Sequence, residues 1–233
     1  WQQWRDGMRR RYEDQLDQLG TLRVGERLTD GGGYSRTKPQ FSPDGTSLAY
    51  LSTGARHHGP HGLVIRDVAT GEEEVKAAAV FSTLSWDPDG RSLVFVRKRA
   101  ADRYGSRRAD LFRYDLDAGD RSLLSKLTWA PSMIIGAHYP DSPYETELTR
   151  GERTLYPAVS PEGDRIAFVR LVADGSQLVT RLSSGDDTGE RVILSYADGT
   201  QLYTPRWSPD GTHLVFSIYR DGQRDLARIA VDG

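Results

Sequence analysis

The chain has 233 residues, 37% of them hydrophobic and 27% charged, with a net charge of −2 and no cysteine. That length holds one large domain or two small ones, and the charge leaves no electrostatic footprint for nucleic acid or an anionic membrane surface. Disulfides, thiol catalysis and thiolate-bound zinc are excluded, and no apolar run reaches the ~18 residues that a membrane-spanning helix needs.

In chain order the first expected element is a helix. Trp1, Trp4, Met8, Tyr12, Leu16 and Leu19 recur at steps of three and four with Arg, Asp, Gln and Glu between them, so residues 1–20 read as a short amphipathic linker helix. The start has no apolar core and no cleavage site, so it is not a signal peptide. It also lacks Met, and the chain reads as a piece of something longer. Leu22 to Thr29 has the character of a strand, and Gly31-Gly32-Gly33 reads as a flexible loop, since no helix follows as a dinucleotide fingerprint requires.

From there a repeat governs the sequence. Phe41-Ser42-Pro43-Asp44-Gly45 is followed by Ser47-Leu48-Ala49-Tyr50-Leu51, and Trp86-Asp87-Pro88-Asp89-Gly90 by Ser92-Leu93-Val94-Phe95-Val96. Val159-Ser160-Pro161-Glu162-Gly163 precedes Arg165-Ile166-Ala167-Phe168-Val169, and Trp207-Ser208-Pro209-Asp210-Gly211 precedes His213-Leu214-Val215-Phe216-Ser217. Pro sets φ for the first corner of a turn, the acid bonds a nearby backbone N–H, and Gly accepts positive φ, so each copy is a tight hairpin and its acid a turn cap. A second hairpin follows in three copies, turning at Ala69-Thr70-Gly71, Ala118-Gly119 and Thr188-Gly189. Each repeat therefore holds four antiparallel strands, a to d. Units of this size and strand number are the signature of propeller blades.

The expected fold is all-β: a β-propeller over 21–233, with blades at 38–78, 79–127, 150–195 and 202–233, as a closed ring or as part of a larger one. The fourth repeat ends at a third strand, Asp225 to Val231. Pairing of that strand with Leu22 to Thr29 would close the ring; excision from a longer array is the alternative. The acidic turn residues are spaced by 45, 73 and 48 residues, and the long interval marks residues 128–149 as an insertion or a degenerate blade.

The Pro-x-(Phe/Trp)-Ser-Pro-Asp-Gly pattern followed by an apolar strand resembles the WD-repeat-like blades of TolB-type propellers, over roughly residues 22–233. Related blades occur in the propeller domains of tricorn-type and prolyl-oligopeptidase-type peptidases. The resemblance implies six or more blades in the usual domain and a periplasmic or cell-envelope setting. It is specific for architecture and leaves function open.

No nucleophile elbow, metalloprotease motif or phosphate loop is present, so the chain reads as no enzyme, with no cofactor. Asp115, Asp117 and Asp120 fall on a strand-to-strand turn without a full calcium loop. His57, His58 and His61 offer imidazoles for a metal or for a partner. Strand parity puts the a–b and c–d turns at one end of each unit and the b–c and d–a connections at the other. The second end is expected to gather those histidines with Arg99, Arg103, Arg107, Arg108, Trp129, Tyr139 and Tyr144, a composition typical of contact surfaces. The leading expectation is a non-catalytic scaffold binding a protein or peptide there, with no nucleic acid. The alternative is an accessory or substrate-gating propeller of a larger hydrolase, a peptidase, whose catalytic domain is covalently linked upstream or downstream.

Overall fold

The computed structural model describes residues 1–19, 25–29, 35–54, 61–98, 108–116, 145–184 and 189–231. The chain divides into two units, Trp1–Gly31 and Gly32–Gly233. The first contains α1 (Gln2–Leu19), where the rings of Trp1 and Trp4 stack with centres 5.2 Å apart. Residues 25–29 form no strand, contrary to expectation. Gly25, Glu26 and Arg27 break the apolar alternation, and the Arg27 guanidinium folds back onto the Thr29 carbonyl.

The second unit holds fourteen described strands: β1 (Arg36–Phe41), β2 (Ser47–Ser52), β3 (His61–Asp67), β4 (Glu73–Trp86), β5 (Ser92–Lys98), β6 (Ala109–Asp115), β7 (Glu145–Glu147), β8 (Thr154–Val159), β9 (Arg165–Val172), β10 (Gly175–Leu182), β11 (Arg191–Ser195), β12 (Gln201–Trp207), β13 (His213–Arg220) and β14 (Gln223–Ala230). They form antiparallel sheets of seven (β1 to β7), four (β8 to β11) and three strands (β12 to β14), each in sequential order. Blades of four strands were expected, the last ending at its third strand; the first two repeats share one sheet through β4. Its N-terminal half pairs with β3 and its C-terminal half with β5, and left-handed Ala79 (φ 57) and Ser82 (φ 76) lie at the change of partner. The outer edge of β14 has no partner among the described residues; of the expected closing strand Leu22 to Thr29, residues 22–24 lie outside them.

The repeated turn has one geometry four times over. Gly45, Gly90, Gly163 and Gly211 donate their N–H to the carbonyls of Ser42, Asp87, Ser160 and Ser208, and all four glycines have φ between 69 and 78. This is a type I turn closed by a left-handed glycine. In three copies the turn serine hydroxyl donates to an acid, Asp44, Asp164 or Asp210, and accepts the N–H that opens strand b.

Strand b explains the apolar runs. Leu93 and Phe95 pack toward repeat one, while Val94 and Val96 pack toward repeat three. Ile166 and Phe168 meet that second cluster, and Ala167 and Val169 meet Leu214 and Phe216 of repeat four. A strand buried on both faces loses its polar alternation. Val215, on the outward face of the last repeat, is 39% exposed, because no further sheet covers it among the described residues.

Strand a carries a bulge in every repeat, between Thr37 and Gln40, Phe81 and Leu84, Leu155 and Ala158, and Tyr203 and Arg206. Lys38, Ser82, Tyr156 and Thr204 have positive φ at these bulges, and Pro39, Pro157 and Pro205 occupy three of them, where a missing N–H costs no ladder bond. The bulges place inner-strand groups for bonds between repeats. The indole of Trp86 donates to Gln40 O at 3.2 Å and that of Trp207 to Ala158 O at 2.9 Å. Between repeats two and three, where Val159 replaces the indole, Val159 N donates to Ser85 Oγ at 3.0 Å. Repeat three thus packs directly on repeat two despite the long interval between them.

Candidate partner-binding surfaces

The two ends of the second unit can be told apart by their backbone bonds. Val68, Leu116, Ser183 and Val231, each just beyond strand c, donate to carbonyls within the a–b turns. The a–b and c–d connections therefore share one end, the turn end, and the b–c and d–a connections share the other, the loop end. In repeats three and four the b–c connections are tight hairpins, closed in the last by Asp221 (φ 52) and Gly222 (φ 80) in the pattern of a type I′ turn. Long b–c connections occur only in repeats one and two.

The sequence-derived site residues fall unevenly on this frame. His57, His58, Arg99, Arg103 and Arg107 lie outside the described residues, within connections whose flanking strands meet at the loop end. His61 opens β3 opposite Val80 and is half-buried. Among the described residues no three His, Asp or Glu side chains are close enough to hold a metal. Trp129, Tyr139 and Tyr144 also lie outside the described residues, as do Asp117 and Asp120. The segment containing them leaves after β6 and returns at β7, which pairs with β6 as the fourth strand of repeat two. That makes it a c–d connection, whose flanking strands β6 and β7 meet at the turn end. Three residues, Glu145-Thr146-Glu147, are too short and too polar to announce a strand.

Arg108 is the predicted residue the structure places in a defined site. It rims a cleft of about 340 Å³ between repeats two and three, lined by Phe81, Lys98, Arg108, Ala109, Arg153, Leu155 and Leu171. The Lys98 ammonium sits 3.9 Å from the centre of the Phe81 ring, within reach of the ring's negative face. Arg108 donates to Gly151 O at 2.9 Å. Phe81 lies within a strand and Lys98 abuts the more conspicuous Arg99, so the sequence marks neither as a site residue.

Beside the cleft, Arg170 is gripped by Glu152 and by Glu190, the latter at 2.6 Å. Burial alone lowers the Arg170 pKa, but the two carboxylates outweigh it and the guanidinium is held charged. Further round, the rings of Tyr156 and Tyr203 lie 6.0 Å apart with Arg224 4.4 Å above Tyr203. Burial first, and Tyr203 second, raise the Tyr156 pKa against the pull of Arg224.

A second cavity, of about 530 Å³, is lined by the inner strands of all four repeats, among them Gln40, Trp86, Val159, Arg206 and Trp207. Arg206 is solvent-exposed yet lies in this concavity, and the surrounding protein lowers its pKa by desolvation.

No family model matches the chain. It is 40% identical over 70 residues to the Tol-Pal system protein TolB of Syntrophus aciditrophicus, covering 30% of this chain and 15% of that protein. It is 24% identical over 173 residues to dipeptidyl-peptidase 5 of Porphyromonas gingivalis, covering 71% and 22%, and 25% identical over 207 residues to the uncharacterized peptidase YuxL of Bacillus subtilis, covering 78% and 29%. The chain thus spans less than a third of the length of these curated relatives. Among solved structures, the putative TolB of Agrobacterium tumefaciens superposes with a TM-score of 0.65 at 21% identity, over 92% of this chain and 69% of that one. A prolyl endopeptidase superposes at 0.55 and 12% identity, over 87% and 28%. The fold of the second unit is accordingly that of a TolB-like β-propeller.

Proposed function

We propose that the chain is a non-catalytic propeller scaffold, built of four-stranded blades, that recognises a protein or peptide at its loop end. The observation that carries this reading is the cleft between repeats two and three, where three cations rim an apolar floor. The turn end, by contrast, repeats one backbone geometry four times and offers little for discrimination. The long b–c connections bearing His57, His58, Arg99, Arg103 and Arg107 join strands at the same end as the cleft, and belong to the proposed surface with His61 and Arg108. The likeness to TolB supports an envelope setting.

Titration against a library of acetylated octapeptides tests the reading. Arg153→Glu reverses charge on an exposed loop-end residue, and Thr212→Glu changes an exposed turn-end residue. Binding that weakens in the first and not in the second supports recognition at the loop end, with slower association where contacts are peripheral. The reverse result rejects it, and turnover of peptides by the purified chain rejects the non-catalytic part.

A second reading, the gating or accessory propeller of a peptidase whose catalytic domain lies elsewhere, is favoured by the breadth of the peptidase matches, which cover 71% and 78% of this chain. A hydrolase domain in the same reading frame supports it.

A further inference from the structure

The cleft between repeats two and three joins an apolar floor to a cationic rim. Its floor is apolar, formed by Phe81, Leu155 and Leu171, and its rim is Lys98, Arg108 and Arg153, with no acidic side chain lining it. Three like charges around one small cavity repel each other, and an anion placed among them relieves that repulsion. Each cation also keeps capacity for a ligand. Lys98 faces the Phe81 ring and keeps its N–H donors; Arg108 spends one donor of five on Gly151 O,; and Arg153 makes no side-chain hydrogen bond or ion pair among the described residues.

Building on the polypeptide-recognition reading, we propose that this cleft is a pocket for the C-terminal residue of a polypeptide, with Lys98, Arg108 and Arg153 holding its α-carboxylate and Phe81, Leu155 and Leu171 taking an apolar side chain. Size and connectivity favour a chain terminus over an internal acid. A volume of about 340 Å³ is at the small end for ligand pockets, with room for one or two residues. At a terminus the carboxylate and the side chain leave the same carbon, so both fit one small cleft. An internal Asp or Glu carries its charge at the tip of its own side chain, and in an extended peptide the next apolar side chain points to the opposite face. Capture of a terminal carboxylate is an established mode of peptide recognition, and the guanidinium fork suits a carboxylate.

Calorimetric titration of the full chain tests the assignment with three probes: a hexapeptide ending in Leu with a free carboxylate, the same peptide amidated, and an amidated peptide with an internal Glu-Leu. The free acid is expected to bind, and amidation to weaken it about tenfold or more, the effect of losing charge-assisted hydrogen bonds. The internal-Glu peptide should bind no better than the amide. Arg153→Gln and Lys98→Met, each removing a charge and leaving the floor intact, should weaken the free acid about tenfold with an unchanged unfolding midpoint; if one variant fails to fold, the other decides. Equal affinity for acid and amide overturns the pocket, as does wild-type affinity in a folded variant. Inorganic phosphate binding as tightly as the acid peptide also overturns it, by showing an anion site indifferent to the side chain. In those cases octapeptide binding at the loop end still stands, whereas a chain that binds none of the peptides loses both readings.

Discussion

At the residue scale, Asp87 is where the repeat departs from its own rule. Three copies place a serine before the turn proline, and that hydroxyl both donates and accepts. Asp87 accepts from Ser92 and lies 3.3 Å from the Arg113 guanidinium, yet its other oxygen is buried with no hydrogen-bond partner. Burial pushes its pKa up to about 6, Arg113 pulls it down, and Asp89 adds to the rise. The folded protein therefore binds this proton more tightly than the unfolded chain. Stability from this group is greatest below the ordinary carboxylate pKa and is lost as pH rises through about 6,. Asp87→Ser should be more stable than the parent by about 1 kcal/mol at pH 7, after discounting for solvent screening, and the difference should shrink toward pH 4. Thermal unfolding across that range checks it; a difference independent of pH contradicts it. The turn glycines give a second expectation. A Cβ at Gly45 meets open space, whereas at Gly163 it comes within 3.2 Å of Pro88 Cδ. Gly45→Ala should cost about 1–2 kcal/mol for its left-handed φ alone, and Gly163→Ala should cost more; equal losses in urea unfolding would show that the contact between repeats carries no strain.

At the element scale, the inner strands are stitched by side chains that sequence does not mark as connectors. Trp86 and Trp207 read as apolar residues before a turn, and their indole bonds to the preceding repeat depend on bulges that alternation does not reveal. Pro39, Pro157 and Pro205 were the available signal, since proline within a strand points to an edge or a bulge. Trp207→Phe keeps the ring packing and leaves the Ala158 carbonyl without its donor. It should destabilise by about 1–2 kcal/mol, and an unchanged denaturation midpoint would mean that water or another donor replaces the indole. Hairpins were legible for the same physical reason that makes them regular: Pro, Asp and Gly have narrow backbone preferences. The position of β7 was not, because a three-residue strand is specified by its partner β6 and by the buried Leu148 that follows it, neither of which is local. That hidden strand makes residues 117–144, which lie outside the described residues, the connection between the third and fourth strands of repeat two.

At the scale of the whole molecule, hydrophobic clusters join repeats one with two, two with three, and three with four. Each repeat thus completes its core against the next, as repeat proteins do. The four turn motifs and strand parity are legible in the sequence, but which strands of neighbouring repeats meet to form a cleft is not. Arg108 and Phe81 are not neighbours in the sequence, and the cleft they both line forms only where strands from two repeats meet. The most direct test of loop-end recognition is hydrogen exchange on the full chain with and without a bound library octapeptide. Protection is expected in amides of the b–c and d–a connections, above all 99–108 and 148–153, with the turns at 42–46, 87–91, 160–164 and 208–212 unchanged. Protection confined to those turns would contradict the account.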